Sequence, residues 1–213
     1  MPAKTKKQLR ALKAVEALKQ LYPEAICSLT ANNAFELLVS VRLSAQCTDA
    51  RVNLVTPALF ARFPTIDALA AADVSEVEEL IRSCGLYKTK ARDLVAMAIK
   101  LQNDFHSEIP ATIEELTSLP GVGRKTANLV CGDVFGVLGC VVADTHCIRI
   151  ANRLGLCDST DPKKVEMQLR ALLPPDESNA FCHRIVLFGR DVCSARSPQC
   201  AQCPLQTDCP SAE

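Results

Sequence analysis

The stretch Leu-Pro-Gly-Val-Gly-Arg-Lys-Thr-Ala at residues 119–127 decides how the rest of this chain is interpreted. Two glycines flank a single valine, so a tight turn between two helices is expected. Gly121 and Gly123 can adopt positive φ and bring their backbone N–H groups close to a ligand. N–H groups at a helix start also present the positive end of the helix dipole. The stretch therefore predicts a hairpin that binds phosphate through its backbone.

Lys125 follows this hairpin at the start of the second helix. The helix dipole disfavours the ammonium form of a lysine at that position, and desolvation acts in the same direction. The resulting neutral amine is a nucleophile. A simple phosphate contact or a solvated surface lysine would place the same residue type there. The position of Lys125 alone does not decide between a nucleophile, a phosphate contact and a surface lysine.

A carboxylate opens the next motif, Val-Ala-Asp-Thr-His at residues 142–146. Asp144 stands directly before an apolar helical pattern, which is typical of an N-cap. The same side chain could assist a nucleophilic amine, since one oxygen can cap the helix while the other faces a cleft. Spacing alone favours the cap, and the two roles are compatible.

Composition narrows the class of protein. The 213 residues include 24 basic and 24 acidic side chains, which counts against a nonspecific DNA coat. Aromatic residues make up only 4%, so stacking of single-stranded bases is disfavoured and duplex binding is the better expectation. No membrane-span-length apolar run or secretory signal is present, and we expect a cytoplasmic protein.

Helical periodicity dominates the chain, and strand signals are almost absent. Only residues 137–142 have β character, and that stretch is short. We therefore expect an all-α protein with many short helices. Candidate N-caps precede several of the helical patterns: Asn33, Ser75, Thr112, Asp161 and Asp176.

Four of the 12 cysteines crowd into the C-terminal segment with the spacing C-x6-C-x2-C-x5-C. They are Cys193, Cys200, Cys203 and Cys209. Structural zinc sites are usually built from two short CxxC pairs, and only one such pair is present here. The spacing suits a [4Fe–4S] cluster at least as well. Most of the other cysteines are expected to be buried thiols.

Taken together, these motifs resemble the endonuclease III family of the helix–hairpin–helix superfamily. The resemblance covers nearly the whole chain and rests on separated motifs in the right order. They are Leu-Ser-Ala-Gln-Cys-Thr-Asp at 43–49, Gly-Leu-Tyr-Lys-Thr-Lys-Ala at 85–91, the hairpin, residues 142–146 and the four-cysteine pattern.

The resemblance implies an all-α helix–hairpin–helix DNA glycosylase fold, with two helical domains and a DNA cleft between them. A helical barrel domain would span residues 27–137 and contain the hairpin. Residues 1–26 and 138–213 would form the iron–sulfur cluster domain, with a [4Fe–4S] cluster on the four C-terminal cysteines. The implied partner is double-stranded DNA with damaged bases or abasic sites. A monomer is expected, without membrane contact, in the cytoplasm and at the nucleoid in a bacterium.

Motif matching also implies the site residues. Lys125 would be the nucleophile and Asp144 the catalytic carboxylate. Gln46 would fill the space left by a flipped base, and Leu86 would wedge into the duplex. The remaining implied DNA contacts are Gly121, Val122, Gly123, Thr126 and His146.

The activity implied by the resemblance is base excision repair. The enzyme would remove oxidised pyrimidines and cut the strand by β-elimination through a Schiff base on Lys125. The alternatives are a monofunctional or mismatch-directed glycosylase and a noncatalytic metal-stabilised DNA-binding module. The chain departs from the family pattern at Cys47 and Cys147, interpreted as packing thiols, and at Arg42, interpreted as a DNA contact or a surface charge.

Overall fold

The computed structural model describes residues 5–212 of the chain, so residues 1–4 of the expected cluster domain and Glu213 lie outside the described residues. The described residues form eleven α-helices and two short 3-10 helices, without a β-strand. The α-helices are α1 (Lys6–Leu21), α2 (Ala34–Ser44), α3 (Asp49–Arg62), α4 (Ile66–Ala70), α5 (Val74–Leu80), α6 (Tyr87–Phe105), α7 (Ile113–Thr117), α8 (Arg124–Asp133), α9 (Thr145–Arg153), α10 (Pro162–Arg170) and α11 (Ser178–Asp191). The 3-10 helices are Cys200–Gln202 and Gln206–Asp208. The all-α expectation is confirmed.

The chain divides into two compact units, one formed by Cys27–Phe135 and the other by the segments on either side of it. The first unit contains α2 to α8, and the second contains α1 and α9 to α11. The sequence-based division began the barrel domain at the same residue and ended it after residue 137. Over residues 5–212, no helix is long and apolar enough to cross a membrane.

Two helices organise the Cys27–Phe135 unit. Helix α6 packs against α4 and α5. It does so through Leu94, Met97 and Leu101, which lie on one helical face and are fully buried. Helix α2 is buried over most of its length, with Phe35, Leu37, Leu38, Val39, Ser40, Val41 and Leu43 inside. This burial fixes the C-terminal end of α2, from which the segment with Gln46 emerges.

The second unit has its core between α1, α9 and α11, since α11 packs against both of the other helices. Leu18 of α1, Ile150 of α9 and Phe181 of α11 are fully buried. Arg10 of α1 donates from Nη1 to the carbonyl of Leu154 at the end of α9, at 3.1 Å. Helix α9 is thus held on a rigid support.

Three of the expected N-caps are confirmed, because the side chains of Asn33, Thr112 and Asp161 each accept a backbone N–H three residues on. Ser75 is wrong as a cap. The carboxylate of Asp73 accepts the Ser75 N–H at 2.8 Å, so the helix begins before the serine. Asp176 is also wrong, since α11 begins only after Glu177.

Residues 137–142 do not form the strand that their β character favoured. Their backbone groups bond to other partners instead of a neighbouring strand. The Gly139 N–H donates to the Pro175 carbonyl at 2.8 Å, and the Val142 N–H donates to Cys182 Sγ at 3.2 Å. Residues 140–143 are buried and lead directly to Asp144.

Candidate functional site

The hairpin between α7 and α8 needs only one of its glycines for backbone conformation. Gly121 has φ +73°, whereas Gly123 has φ −97° and serves as the N-cap of α8. Gly123 has no side chain that could cap this helix, so no N-cap side chain occupies the helix start, where backbone N–H groups point outward. Both glycines permit positive φ, and only Gly121 adopts it. The open N–H groups fit an anion such as phosphate.

Gly121 lies directly against an ion pair between Arg42 and Asp93. A Cβ atom on Gly121 would come within 3.0 Å of both Arg42 Nε and Asp93 Oδ2. The Arg42 side chain is only 13% exposed. Arg42 is therefore neither a free surface charge nor an open DNA contact, because its side chain is paired with Asp93 and packs against Gly121 of the hairpin. Sequence reasoning gave Asp93 no role, since its partner lies 51 residues away.

Lys125 is the second residue of α8, and its side chain is exposed. Its neighbours Val122 and Thr126 are buried. The side chains of these two residues therefore belong to the core, whereas the side chain of Lys125 is open to solvent.

Gln46 and Leu86 lie on two adjacent turns of the Cys27–Phe135 unit. Both side chains are exposed, and both residues have positive φ, +53° and +58°. Residues other than glycine cost about 1–3 kcal/mol in this region, and such strain is concentrated at functional sites. A Cβ atom on Gly85 would lie 3.2 Å from the Gln46 carbonyl oxygen, so the two turns pass in contact. The structure brings these two predicted DNA-contacting residues together.

A buried lysine beside these turns escaped the sequence reasoning. Lys90 is fully buried, and its Nζ donates to the carbonyl of Leu43 in the last turn of α2, at 2.7 Å. Burial lowers the pKa of Lys90, while the nearby thiols of Cys47 and Cys84 act to raise it. Lys90 occupies a core position of α6, four residues before Leu94. A lysine within the apolar face of α6 was the sequence signal that could have identified Lys90.

Asp144 caps α9, as its position predicted. Its Oδ1 accepts the N–H of Cys147 at 2.7 Å, and its side chain is half-buried. His146 lies in the first turn of the same helix. Burial lowers the pKa of His146, the charge of Asp144 raises it, and the charges of Arg149 and Arg190 lower it further. The helix start therefore holds a fixed carboxylate beside an imidazole that is biased towards its neutral form.

Helix α9 is bound to the C-terminal segment by Arg149, another residue that the sequence reasoning passed over. Its Nη2 lies 3.3 Å from His146 Nδ1 and donates to the carbonyls of Gly189 and Cys193 at 3.2 and 3.0 Å. A Cβ atom on Gly189 would lie 2.5 Å from His146 Nδ1, so the glycine permits this close packing. The signal was a pair of arginines four residues apart on α9.

The second arginine of that pair, Arg153, holds the cysteine-rich loop. Its Nη1 donates to Cys193 Sγ at 3.3 Å and to the Ser194 carbonyl at 2.7 Å. Its Nη2 donates to the Ala195 carbonyl at 2.8 Å, and its own carbonyl accepts from Cys209 Sγ at 3.4 Å. The guanidinium of Arg153 therefore lies at the edge of the set of four C-terminal cysteines, where it complements the negative charge of thiolates.

The four C-terminal cysteines surround one cavity of about 300 Å³, which Arg153 also lines. All four are half-buried free thiols. Burial raises the pKa of Cys203, and the other three thiols raise it further through their charge, which shows that the four lie near one another. Within the described residues, no three of them converge on a point that would hold one metal ion. Four thiol donors around a cavity fit a multi-iron cluster better than a single tetrahedral ion.

Comparisons with known proteins agree with this arrangement. The sequence model of the HhH-GPD superfamily of base excision DNA repair proteins matches residues 39–175, and that of the iron–sulfur binding domain of endonuclease III matches residues 193–209. Endonuclease III of Synechocystis sp. is 48% identical over 207 residues, which cover 97% of this chain and 94% of the relative. Endonuclease III of Bacillus subtilis is 41% identical over 196 residues, 92% of this chain and 89% of the relative.

A solved structure of a trapped endonuclease III–DNA covalent intermediate, an estranged-adenine complex, matches the fold with a TM-score of 0.90. It is 42% identical, and the match covers 99% of this chain and 98% of that chain. The chain therefore belongs to the HhH-GPD superfamily of base excision DNA repair proteins, and within it to the endonuclease III family.

It is accordingly a DNA repair enzyme, a DNA glycosylase with AP lyase activity. Its cofactor is a [4Fe–4S] cluster. The expected fold class, enzyme class and cofactor are confirmed, and the bifunctional interpretation is favoured over a noncatalytic DNA-binding module.

Proposed function

We propose that this enzyme removes oxidised pyrimidines from duplex DNA, with Lys125 as nucleophile and Asp144 as catalytic carboxylate. The observation that carries the assignment is the exposed amine of Lys125 at the uncapped start of α8, directly after the hairpin. A covalent intermediate with DNA requires such a nucleophile.

The first step is binding of the DNA backbone. The open N–H groups at Gly123 and at the start of α8 bind a phosphate, and the dipole of α8 adds a favourable charge interaction. The ion pair of Arg42 and Asp93 keeps the hairpin in the conformation that exposes these groups. Binding through the backbone is independent of sequence, as a search for rare damage requires.

The second step moves the damaged nucleotide out of the stack, because a base inside a duplex cannot be reached by a nucleophile. Leu86, whose side chain is 59% exposed, supplies an apolar wedge that enters the duplex. Gln46 on the neighbouring turn fills the space that the flipped base leaves. A damaged base costs less to unstack than an intact one, which favours the damaged sites.

The third step is base removal. The amine of Lys125 attacks C1′ of the sugar and displaces the base, and the carboxylate of Asp144 stabilises the positive charge that develops on the sugar. Oδ1 of Asp144 is held by the Cys147 N–H, which leaves Oδ2 for this charge and for proton transfer. The cap therefore orients the carboxylate.

The last step is strand cleavage. After the base has left, the sugar ring opens: the C1′–O4′ bond breaks, O4′ takes a proton, and C1′ becomes a Schiff base with Lys125. The Schiff base makes the proton at C2′ acidic, and its removal expels the 3′ phosphate by β-elimination. Hydrolysis of the Schiff base then frees the lysine. A glycosylase that activates water in place of an amine would release the base without this cleavage.

The cluster domain supports the activity from the C-terminal segment. Cys193, Cys200, Cys203 and Cys209 would hold the [4Fe–4S] cluster, with Arg153 against the edge of the thiol group. When bound, the cluster would join the loop segments through four iron–thiolate bonds.

We further propose that residues 27–137 act as the barrel domain, and that the enzyme is a monomer in the cytoplasm associated with the nucleoid.

Reductive trapping with borohydride tests the role of Lys125. Duplex DNA carrying thymine glycol should form a covalent adduct with the wild-type enzyme and none with Lys125→Ala. Lys163→Ala is the matched control, because Lys163 is also an exposed lysine at the second position of a helix. An adduct that persists in Lys125→Ala contradicts the assignment, and base release without any adduct in the wild type would favour a monofunctional enzyme.

A further inference from the structure

Two cysteines lie within the pair of turns that carry Gln46 and Leu86. The side chains of Cys47 and Cys84 lie near enough for each thiol to act on the other's charge, and both are free. The backbones beside them are in contact, since a Cβ atom on Gly85 would lie 3.2 Å from the Gln46 carbonyl oxygen. Two neighbouring thiols on turns that are in contact are the arrangement from which a disulfide can form.

The two thiols differ in access to solvent. Cys84 is fully buried, whereas Cys47 is half-buried at the surface of the unit. Burial raises the pKa of Cys84 to about 11, while the charges of Lys90 and Arg51 act in the opposite direction. An oxidant from solution can therefore reach Cys47 first, and Cys84 is placed to react second.

We propose that Cys47 and Cys84 are a thiol-oxidation site, at which a hydroperoxide converts the pair into a reversible disulfide. The Cys47 sulfur attacks the O–O bond, which forms a sulfenic acid and releases the alcohol, or water when the oxidant is hydrogen peroxide. The Cys84 sulfur then attacks the Cys47 sulfur. The S–S bond forms, the S–O bond breaks, and the oxygen leaves as water with the Cys84 proton.

The electron balance of this reaction is closed. Two thiols lose two electrons and two protons, and one hydroperoxide is reduced to an alcohol and water. The charge of Lys90 partly offsets the burial that raises the pKa of the Cys84 thiol. A small thiol reverses the disulfide by exchange.

The disulfide would join the Gln46 turn covalently to the Leu86 turn. Both residues hold positive φ, so each turn is restricted before the bond forms. We expect the added constraint to reduce the rearrangement that DNA binding requires and to lower strand cleavage several-fold. This consequence rests on the proposed function of Gln46 and Leu86, whereas formation of the disulfide does not.

The chain contains its own comparison pair. The thiols of Cys147 and Cys182 also lie near each other, but Cys147 is fully buried and Cys182 is only 3% exposed. Neither thiol is open to an oxidant in the folded protein. Reaction at Cys47 and Cys84 with none at Cys147 and Cys182 would therefore separate site-specific oxidation from general thiol damage.

The test uses the reduced protein with its cluster intact, treated with hydrogen peroxide, alkylated under denaturing conditions and mapped by mass spectrometry. The expected result is a peptide pair linked through Cys47 and Cys84, lost on treatment with dithiothreitol, with Cys147 and Cys182 alkylated. Iron content is measured on the same sample. Failure to find the linked pair at a dose that oxidises Cys47 further, to the sulfinic acid, would overturn the proposal.

Two variants separate the disulfide from other effects of peroxide. Cys84→Ser should stop at a sulfenic acid on Cys47, which dimedone captures, and Cys47→Ala should give neither product. Both variants should keep strand cleavage at a peroxide dose that inactivates the wild type, and dithiothreitol should restore the wild type. Equal inactivation of Cys47→Ala would overturn a role of this site in activity. Mapping of the disulfide by mass spectrometry does not depend on the proposed roles of Gln46 and Leu86. A failure of the disulfide proposal can therefore be distinguished from a failure of the proposed function.

Discussion

The hairpin at residues 119–127 and the cysteine-rich loop after α11 are both irregular segments with a proposed binding role, but different forces hold them. The hairpin packs directly against the ion pair of Arg42 and Asp93. This close contact is possible because Gly121 has no side chain. The loop is held by side chains that reach its carbonyls, chiefly those of Arg149 and Arg153. A missing side chain shapes the first segment, and added donors shape the second.

The comparison explains why the two segments depend differently on a bound group. The hairpin reaches its conformation through contacts within the Cys27–Phe135 unit alone. The loop carries four half-buried thiols around a cavity of about 300 Å³, where the [4Fe–4S] cluster would be held. Changes at Gly121 should therefore act on DNA binding, and changes at Arg153 should act on the cluster.

The largest effect is expected for Gly121→Ala. A side chain at φ +73° costs conformational energy, and its Cβ would meet Arg42 and Asp93. Together these should lower the free energy of unfolding by about 2–4 kcal/mol and weaken DNA binding. Urea denaturation and a DNA-binding titration measure the two effects.

Gly123→Ala is the matched control for that variant. A Cβ atom on Gly123 meets nothing within 4 Å, and φ is negative. The expected cost is below about 1 kcal/mol, since only the preference of the N-cap for glycine over alanine is lost. Equal destabilisation by both alanines would contradict the role assigned to the ion pair.

Arg153→Met should act on the cysteine-rich loop. Three donor contacts, to Cys193 Sγ and to the carbonyls of Ser194 and Ala195, disappear together. We expect a loss of about 2 kcal/mol and a lower iron content of the purified protein. Arg153→Lys keeps the charge without the planar fork and should be intermediate. Full iron content in Arg153→Met would show that the thiols alone shape the loop.

Asp93→Asn tests the support of the hairpin more gently. An amide keeps an acceptor for Arg42 but removes the negative charge from a partly buried pair. The expected cost is about 1 kcal/mol, with DNA affinity reduced less than in Gly121→Ala. Thermal denaturation and the same titration provide the measurement. A cost as large as that of Gly121→Ala would mean that the charge, and not the space, dominates.

The smallest effect is a pH dependence at the start of α9. The pKa of His146 lies below the usual value of 6.5 in the folded protein, so the unfolded chain binds the proton more readily. Its contribution to stability is therefore complete above pH 6.5 and is lost as the pH falls from there through the folded pKa. His146→Gln should flatten this part of a stability–pH curve. An unchanged slope would assign the acid sensitivity to other groups.

Local signals in the sequence were sufficient for much of the fold. The caps at Asn33 and Asp161 and the cysteine spacing each depend on residues close in the chain, and each was predicted. The prediction of Ser75 as an N-cap was wrong because Asp73, two residues earlier, caps the same helix.

The missed features depend on tertiary contact. Lys90 was overlooked because its acceptor, Leu43, comes from a distant helix, and the ion pair under the hairpin joins residues 51 apart. The sequence predicts Cys47 only as a packing thiol and gives no sign of its neighbour Cys84, since nothing local indicates that the two turns meet. Periodicity identifies the faces of helices but not which faces come together.

The N-cap bond of Asp144 has a practical consequence. Asparagine caps a helix as well as aspartate does, and it retains the oxygen that accepts the Cys147 N–H. Under the proposed mechanism, Asp144→Asn would give a folded protein that still engages damaged DNA but turns it over poorly. Such a protein is a capture reagent, suited to recovering lesion-bearing fragments from genomic DNA and recording where they occur.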